Sequence, residues 1–121
     1  LLMKGLKKGR IVSSFAYTRL KDITSPTILP ELADLFINIK GVNLSLVLGE
    51  KDGIVHFSIR SREKTYNAGE LAQALTPTGE AGGHEEMGGG RIRASEPGKI
   101  IAKLKKVAGI RGEERPLLSK I

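Results

Sequence analysis

Two short stretches hold side chains whose types and spacing could do chemistry. They are Gly82-Gly83-His84-Glu85-Glu86-Met87-Gly88-Gly89-Gly90 and Ser58-Ile59-Arg60-Ser61-Arg62. Glycines let a backbone approach a ligand closely and turn its N–H groups toward an anion, and a neighbouring histidine adds a donor for a phosphate oxygen. Arginine suits the same ligand because its planar fork makes bidentate contacts. The chemistry in view is phosphate recognition by Gly82, Gly83, His84, Arg60, Ser58 and Ser61, with Arg62, Arg91 and Arg93 as secondary contacts. A bland reading competes at each position: a glycine-rich connection, a solvated strand end, and His56 as an ordinary strand residue. Glu85 and Glu86 weigh against a simple anion site.

Catalysis within this chain has little to stand on. A hydrolytic metal centre needs several converging carboxylates or imidazoles, whereas this chain has three scattered Asp and two His separated by 27 residues. It holds no phosphate-loop signature, and without cysteine it can form neither a thiolate metal site nor a disulfide scaffold.

The elements that must position these residues alternate between strand and helix patterns. Ile11 to Thr18 reads as a first strand. Between Ile28 and Lys40, Leu32, Leu35, Phe36 and Ile39 form a helical stripe; Pro30 falls in the first turn, and Gly41 supplies a stop. From Val42 the period becomes two, with Val42, Leu44, Leu46 and Leu48 on one side. A turn over residues 49–53 leads to a strand with Val55, Phe57 and Ile59 on one face and His56, Ser58 and Arg60 on the other. This predicts a hairpin with one face against helices. Asn67 and Glu70 open a short helix that Pro77 ends. Arg91 to Ala94 reads as a strand. Ser95 caps a last helix in which Ile100, Ile101, Leu104, Val107 and Ala108 pack inward, with lysines outward and a stop at Gly109. The predicted architecture is a single α/β domain, a mixed sheet of four to five strands flanked by helices. Residues 1–10 read as a basic lead-in from an upstream domain, residues 11–108 as the domain, and residues 109–121 as a frayed tail.

The composition bounds the rest. The 121 residues suit one modest core, and no apolar run approaches the roughly 18 residues a membrane span requires. A cysteine-free chain of this kind is expected in the cytoplasm and not in a membrane. The initial residue, Leu1, suggests a piece of a longer protein. The net charge of +7 divides as +6 over residues 1–21, −5 over residues 22–90 and +6 over residues 91–121. Basicity at both ends invites nucleic acid, because Lys and Arg release counterions from phosphates.

Taken together and in order, the run from Val55 to Ser61, then Asn67-Ala68-Gly69-Glu70-Leu71-Ala72, then Gly82-Gly83-His84 and Gly89 before a strand resembles the DHH-associated C-terminal domain. That domain follows the catalytic DHH domain in RecJ-like exonucleases, oligoribonuclease and nucleotide phosphatases, cyclic-dinucleotide phosphodiesterases and exopolyphosphatase-related proteins. A similar domain ends alanyl-tRNA synthetases. The resemblance implies that Gly82, Gly83 and His84 form a substrate loop, and that Arg60, in the Ser-x-Arg-Ser position with Ser58 and Ser61, holds a phosphate or terminal nucleotide. It implies as partners the DHH domain of the same chain and a nucleotide, oligonucleotide or other phosphate ester. The cofactor, Mn²⁺ or Mg²⁺, would sit on that other domain and none on this one. Ala81, Glu85-Glu86 and Met87-Gly88 depart from the family pattern. The alternative function is a non-catalytic RNA-binding accessory, supported by the basic helix from Lys99 to Lys106 and the basic N-terminal segment.

Overall fold

The computed structural model describes residues 1–62, 65–76, 80–93 and 96–121. The chain builds one mixed sheet in the order β5-β6-β4-β3-β2-β1-β7, seven strands among the described residues where the sequence pattern predicts four to five.

The extra strands come from three places. The predicted first strand is two, β1 (Arg10–Val12) and β2 (Phe15–Leu20), paired antiparallel. Ser13 takes φ 54, which breaks the extended run and lets the chain reverse in two residues. The glycine-rich segment contributes β5 (Ala81–Gly83) beside β6 (Met87–Arg93), and the predicted tail contributes β7 (Glu114–Pro116), which pairs with β1. After β7, a 3₁₀ turn over Leu117–Lys120 buries Leu117 completely. The predicted lead-in is also structured: α1 (Leu2–Lys8) packs so closely on the next helix that a Cβ on Gly5 would lie 2.7 Å from Leu32 Cδ1.

The centre of the sheet follows from one crossover and one hairpin. Strand β2 leads through α2 (Ile28–Ile37) to β3 (Leu44–Lys51), which runs parallel to β2, as a connection through a helix requires. Strand β3 then turns into β4 (Ile54–Ser61) at Asp52 and Gly53, whose φ values of 51 and 75 fit a two-residue type I′ turn. The strands therefore run closer to the turn than the five-residue connection expected from sequence.

Both faces of this hairpin are buried, not one. Leu44, Leu46, Leu48, Val55, Phe57 and Ile59 meet Leu71, Ala72 and Leu75 of α3 (Ala68–Leu75) and Ile100, Ile101 and Leu104 of α4 (Pro97–Ala108). On the other face Val42 and Val47 join Ile11, Ala16, Leu20 and the α2 residues Leu29, Leu32, Ala33 and Phe36. The crossover puts α2 on one side, and the chain returns α3 and α4 to the other. Two residues assigned to the core by their helical spacing face out: Leu35 is 44% exposed and Val107 49%. In α2 the buried residues are 29, 32, 33 and 36, so the inward stripe is centred away from residue 35.

Asn67 caps α3 by accepting the Glu70 N–H at 3.0 Å, and Gly109 closes α4 in the left-handed region at φ 68. Pro77, Ala94 and Ser95 lie outside the described residues; α4 starts from Glu96 with no side-chain cap. No helix among the described residues is long and apolar enough to cross a membrane.

Candidate functional site

The end of β4 and the loop between β5 and β6 are 22 residues apart in sequence between Arg62 and His84, and backbone hydrogen bonds bring them together. The Ser61 N–H donates to the Glu86 carbonyl at 2.9 Å. The first turn of α3 holds the same loop: the Ala68 N–H donates to the Glu85 carbonyl and the Gly69 N–H to the His84 carbonyl, each at 2.9 Å. Helix-terminal N–H groups that would otherwise lack partners thus pin the loop. His84 N–H donates to the Met87 carbonyl at 2.8 Å, closing the turn into β6.

This clamp requires glycine on one face of the sheet. A Cβ on Gly88 would lie 2.4 Å from the Ala68 carbonyl oxygen, and one on Gly83, at φ 145, would lie 2.1 Å from the Met87 oxygen. Gly69 on α3 meets the Gly83 carbonyl in the same way. On the opposite face Gly82 pairs with Gly89, and Gly89 with Ser58. Here a Cβ on Gly82 would meet nothing within 4 Å. Period-two alternation therefore divides the glycines into a set that lets a helix approach and a set that leaves a low floor beside Ser58.

Next to that floor opens a cleft of about 350 Å³ lined by Arg60, Ser61, Arg62, His84, Glu86 and Met87, with Asp34, Ile37 and Asn38 from the end of α2. His84 is exposed at its rim. The Glu86 N–H donates to His84 Nδ1 at 3.4 Å, which makes Nδ1 the acceptor and leaves the proton of a neutral imidazole on Nε2. That nitrogen is the donor of the imidazole at the rim of the cleft.

The arginines are less available than their positions in sequence imply. Arg60 is only 6% exposed; its Nε donates to Asp34 Oδ1 at 2.6 Å and its Nη1 to the Ile59 carbonyl at 3.0 Å. Arg62 donates to the carbonyls of Ile37 and Val42, so it caps the C-terminal end of α2. Ser61 Oγ donates to the Tyr66 carbonyl at 2.7 Å and accepts the Tyr66 N–H at 3.1 Å. Of the candidates, the cleft unites Arg60, Ser61, Arg62 and His84; Ser58, Gly82 and Gly83 do not line it. Arg91 and Arg93 line a separate groove with Glu80 and Ile92, where Arg91 faces Glu80 at 3.7 Å.

Sequence reasoning missed Asp34 and Asn38. Asn38 donates to the Asp34 carbonyl at 2.8 Å, and Asp34 fixes Arg60. The signal was a second acid, after Glu31, in a largely apolar helix, which a stripe count treats only as outward-facing. The donors here do not suit a divalent metal, since Asp34 is committed to Arg60 and the described residues contain no cluster of three or more His, Asp or Glu able to hold one.

Comparison with known proteins settles the kinship of this arrangement. The model of the DHHA1 domain matches residues 13–109. The chain belongs to the DHHA1 family. Similar solved structures include the C-Ala domain of alanyl-tRNA synthetase from Aquifex aeolicus, at 22% identity and a TM-score of 0.64, over 84% of this chain and 96% of that one. An exopolyphosphatase-related protein from Bacteroides fragilis gives 19% identity and a TM-score of 0.71, over 89% of this chain and 33% of that one. A pGpG-specific phosphodiesterase from Vibrio cholerae gives 13% identity and a TM-score of 0.62, over 89% of this chain and 38% of that one. The DHHA1 fold thus accounts for nearly all of the first relative and about a third of the other two. No match is found among curated proteins.

Proposed function

We propose that this DHHA1 domain is the substrate-binding part of a DHH-type phosphoesterase, holding a phosphate or nucleotide end and presenting it to a metal centre on a separate N-terminal domain of the same chain. The observation that carries this reading is the convergence of His84 with Arg60 on one cleft beside a side-chain-free floor. The Nε2–H of His84 donates to a phosphate oxygen, and the uncommitted edge of Arg60 supplies positive charge. Asp34 takes one edge of the Arg60 guanidinium and offsets part of its charge, leaving the other edge for a ligand. The domain contributes position, and the Mn²⁺ or Mg²⁺ of the other domain would contribute the activation of water. Two of the similar proteins, the exopolyphosphatase-related protein and the pGpG-specific phosphodiesterase, are named for phosphate chemistry, which is consistent with such a ligand. The expected setting is the cytoplasm.

The test is His84→Ala in the full-length protein, assayed on short oligonucleotides with manganese. Because His84 is exposed and its backbone bonds persist in alanine, the fold survives. Turnover is expected to fall on the order of a hundredfold, the size of a lost positioning contact. Turnover near that of the wild type would reject the role of the loop.

A further inference from the structure

The formal charges lining the glycine cleft cancel. Arg60 and Arg62 bring two positive charges to it, and Asp34 and Glu86 bring two negative ones. Both arginines are already engaged: Arg60 Nε donates to Asp34 Oδ1 at 2.6 Å, and Arg62 donates to the carbonyls of Ile37 and Val42. What remains positive is local, one edge of the Arg60 guanidinium and the Nε2–H of His84. The far side of the sheet differs. A larger cleft of about 680 Å³ opens there, where the basic N-terminal segment meets Lys105 of α4, and Lys7, Lys8, Arg19 and Lys21 of its lining make no ion pair among the described residues.

Glu86 is the unmatched charge of the glycine cleft. It is exposed and makes no ion pair among the described residues, whereas Asp34 is held by Arg60. Its backbone is nevertheless fixed. The Glu86 N–H donates to His84 Nδ1 at 3.4 Å, and the Glu86 carbonyl accepts the Ser61 N–H at 2.9 Å. The side chain therefore starts from a point held against both β4 and His84. Ile37 at the end of α2 and Met87 at the start of β6 add apolar surface to the same lining. Within about 350 Å³ the cleft thus offers donors for one anionic group, apolar walls for an uncharged body, and a carboxylate where a second anionic group would look for a cation.

Resting on the function proposed above, we infer that Glu86 is a specificity-determining residue, which restricts the glycine cleft to ligands ending in a single phosphate and turns away diphosphate, triphosphate and polyphosphate ends. One phosphate is served by the Arg60 edge and the His84 Nε2–H. Each further phosphate adds negative charge, finds no uncommitted arginine or lysine among the described lining residues, and meets the Glu86 carboxylate. Like charges in a cleft that excludes part of the solvent repel more strongly than in bulk water, so the added carboxylate selects by rejecting the wrong ligand.

The experiment needs a readout confined to this cleft, because the lysines across the sheet also attract polyanions. The chain has two histidines, so the spectrum of His84→Ala identifies the imidazole proton resonances of His84. Their shifts are followed while AMP, ADP and ATP are titrated into the 121-residue chain without magnesium, in about 100 mM salt. The wild type is expected to bind AMP at least about tenfold more tightly than ATP at this site. In Glu86→Gln, ATP should gain about five- to tenfold and AMP less than about threefold. Glu86→Asp keeps the charge and should keep the order of the three ligands. Glutamine retains the backbone bonds of Glu86, and an unchanged thermal melt confirms the fold. ATP binding as tightly as AMP in the wild type, or an equal gain for both in Glu86→Gln, overturns the inference and leaves the reading of the cleft intact. Unmoved His84 resonances with all three ligands overturn both the inference and the reading on which it rests.

Discussion

The two clefts of this DHHA1 domain reach positive character by opposite means. In the glycine cleft the arginines are committed inside the protein, Arg60 to Asp34 and Arg62 to the carbonyls of Ile37, at the end of α2, and Val42, and the loop is shaped by backbone bonds from the first turn of α3. Across the sheet, Lys7, Lys8, Arg19 and Lys21 are unpaired among the described residues and the backbone does little. A site with fixed donors discriminates by geometry and is insensitive to salt. One built of solvated lysines attracts any polyanion and is screened readily. The contrast teaches that net charge, the most visible feature of the composition, bears on the second cleft and says little about the first.

The sharpest way to break this contrast is at the backbone. Gly88→Ala drives a Cβ into the Ala68 carbonyl at 2.4 Å, whereas Gly82→Ala points into open space. Gly88→Ala is expected to destabilise the domain by about 2–3 kcal/mol, and Gly82→Ala to change stability by less than about 0.5 kcal/mol, measured by urea unfolding. Equal costs would mean that the glycines do not divide by face. A smaller effect is expected from Asp34→Asn. It removes the only carboxylate bonded to Arg60 among the described residues, so affinity of the glycine cleft for a nucleoside monophosphate should rise about three- to tenfold, at a stability cost of no more than about 1 kcal/mol. Calorimetric titration reads the first and thermal melting the second. A fall in affinity would show that Asp34 serves the ligand by orienting Arg60.

The smallest effect concerns pH. His56 of β4 pairs with Arg91 of β6, and its pKa is pushed below the usual 6.5 by burial first and then by Arg91 and Lys51. A base with a depressed folded pKa takes up its proton more readily when unfolded. Stability is therefore full above about 6.5 and declines as pH falls from there toward the folded pKa. The melting temperature of the wild type should drop more between pH 7 and about pH 5 than that of His56→Gln. Parallel profiles would remove His56 as the source.

Much of the fold was legible because local rules suffice for it. The alternation from Leu44 to Leu48 and from Val55 to Ile59, the Asn67 cap and the Gly109 stop are each set by neighbours within a few residues. The failures share a cause. Residues 114–117 carry no strand signal of their own and become β7 and a buried turn because the edge of β1 is there to pair with them. Leu35 and Val107 fit the helical period, yet face solvent because the buried stripes are centred on Leu29, Leu32, Ala33 and Phe36 in α2 and on Ile100, Ile101 and Leu104 in α4.

The candidate site shows the same division. The sequence by itself determined that a glycine-rich loop with one histidine and an Arg-bearing strand end were the residues to watch, and that the chain is a DHH-associated domain. Residue type and order carry that information. Only the tertiary structure decided that Arg60 is buried against Asp34, that Arg62 caps a helix, that alternate glycines serve opposite faces, and that the two basic ends form one cleft. Those facts depend on which elements the sheet places side by side, and side-chain availability is a property of neighbours distant in sequence.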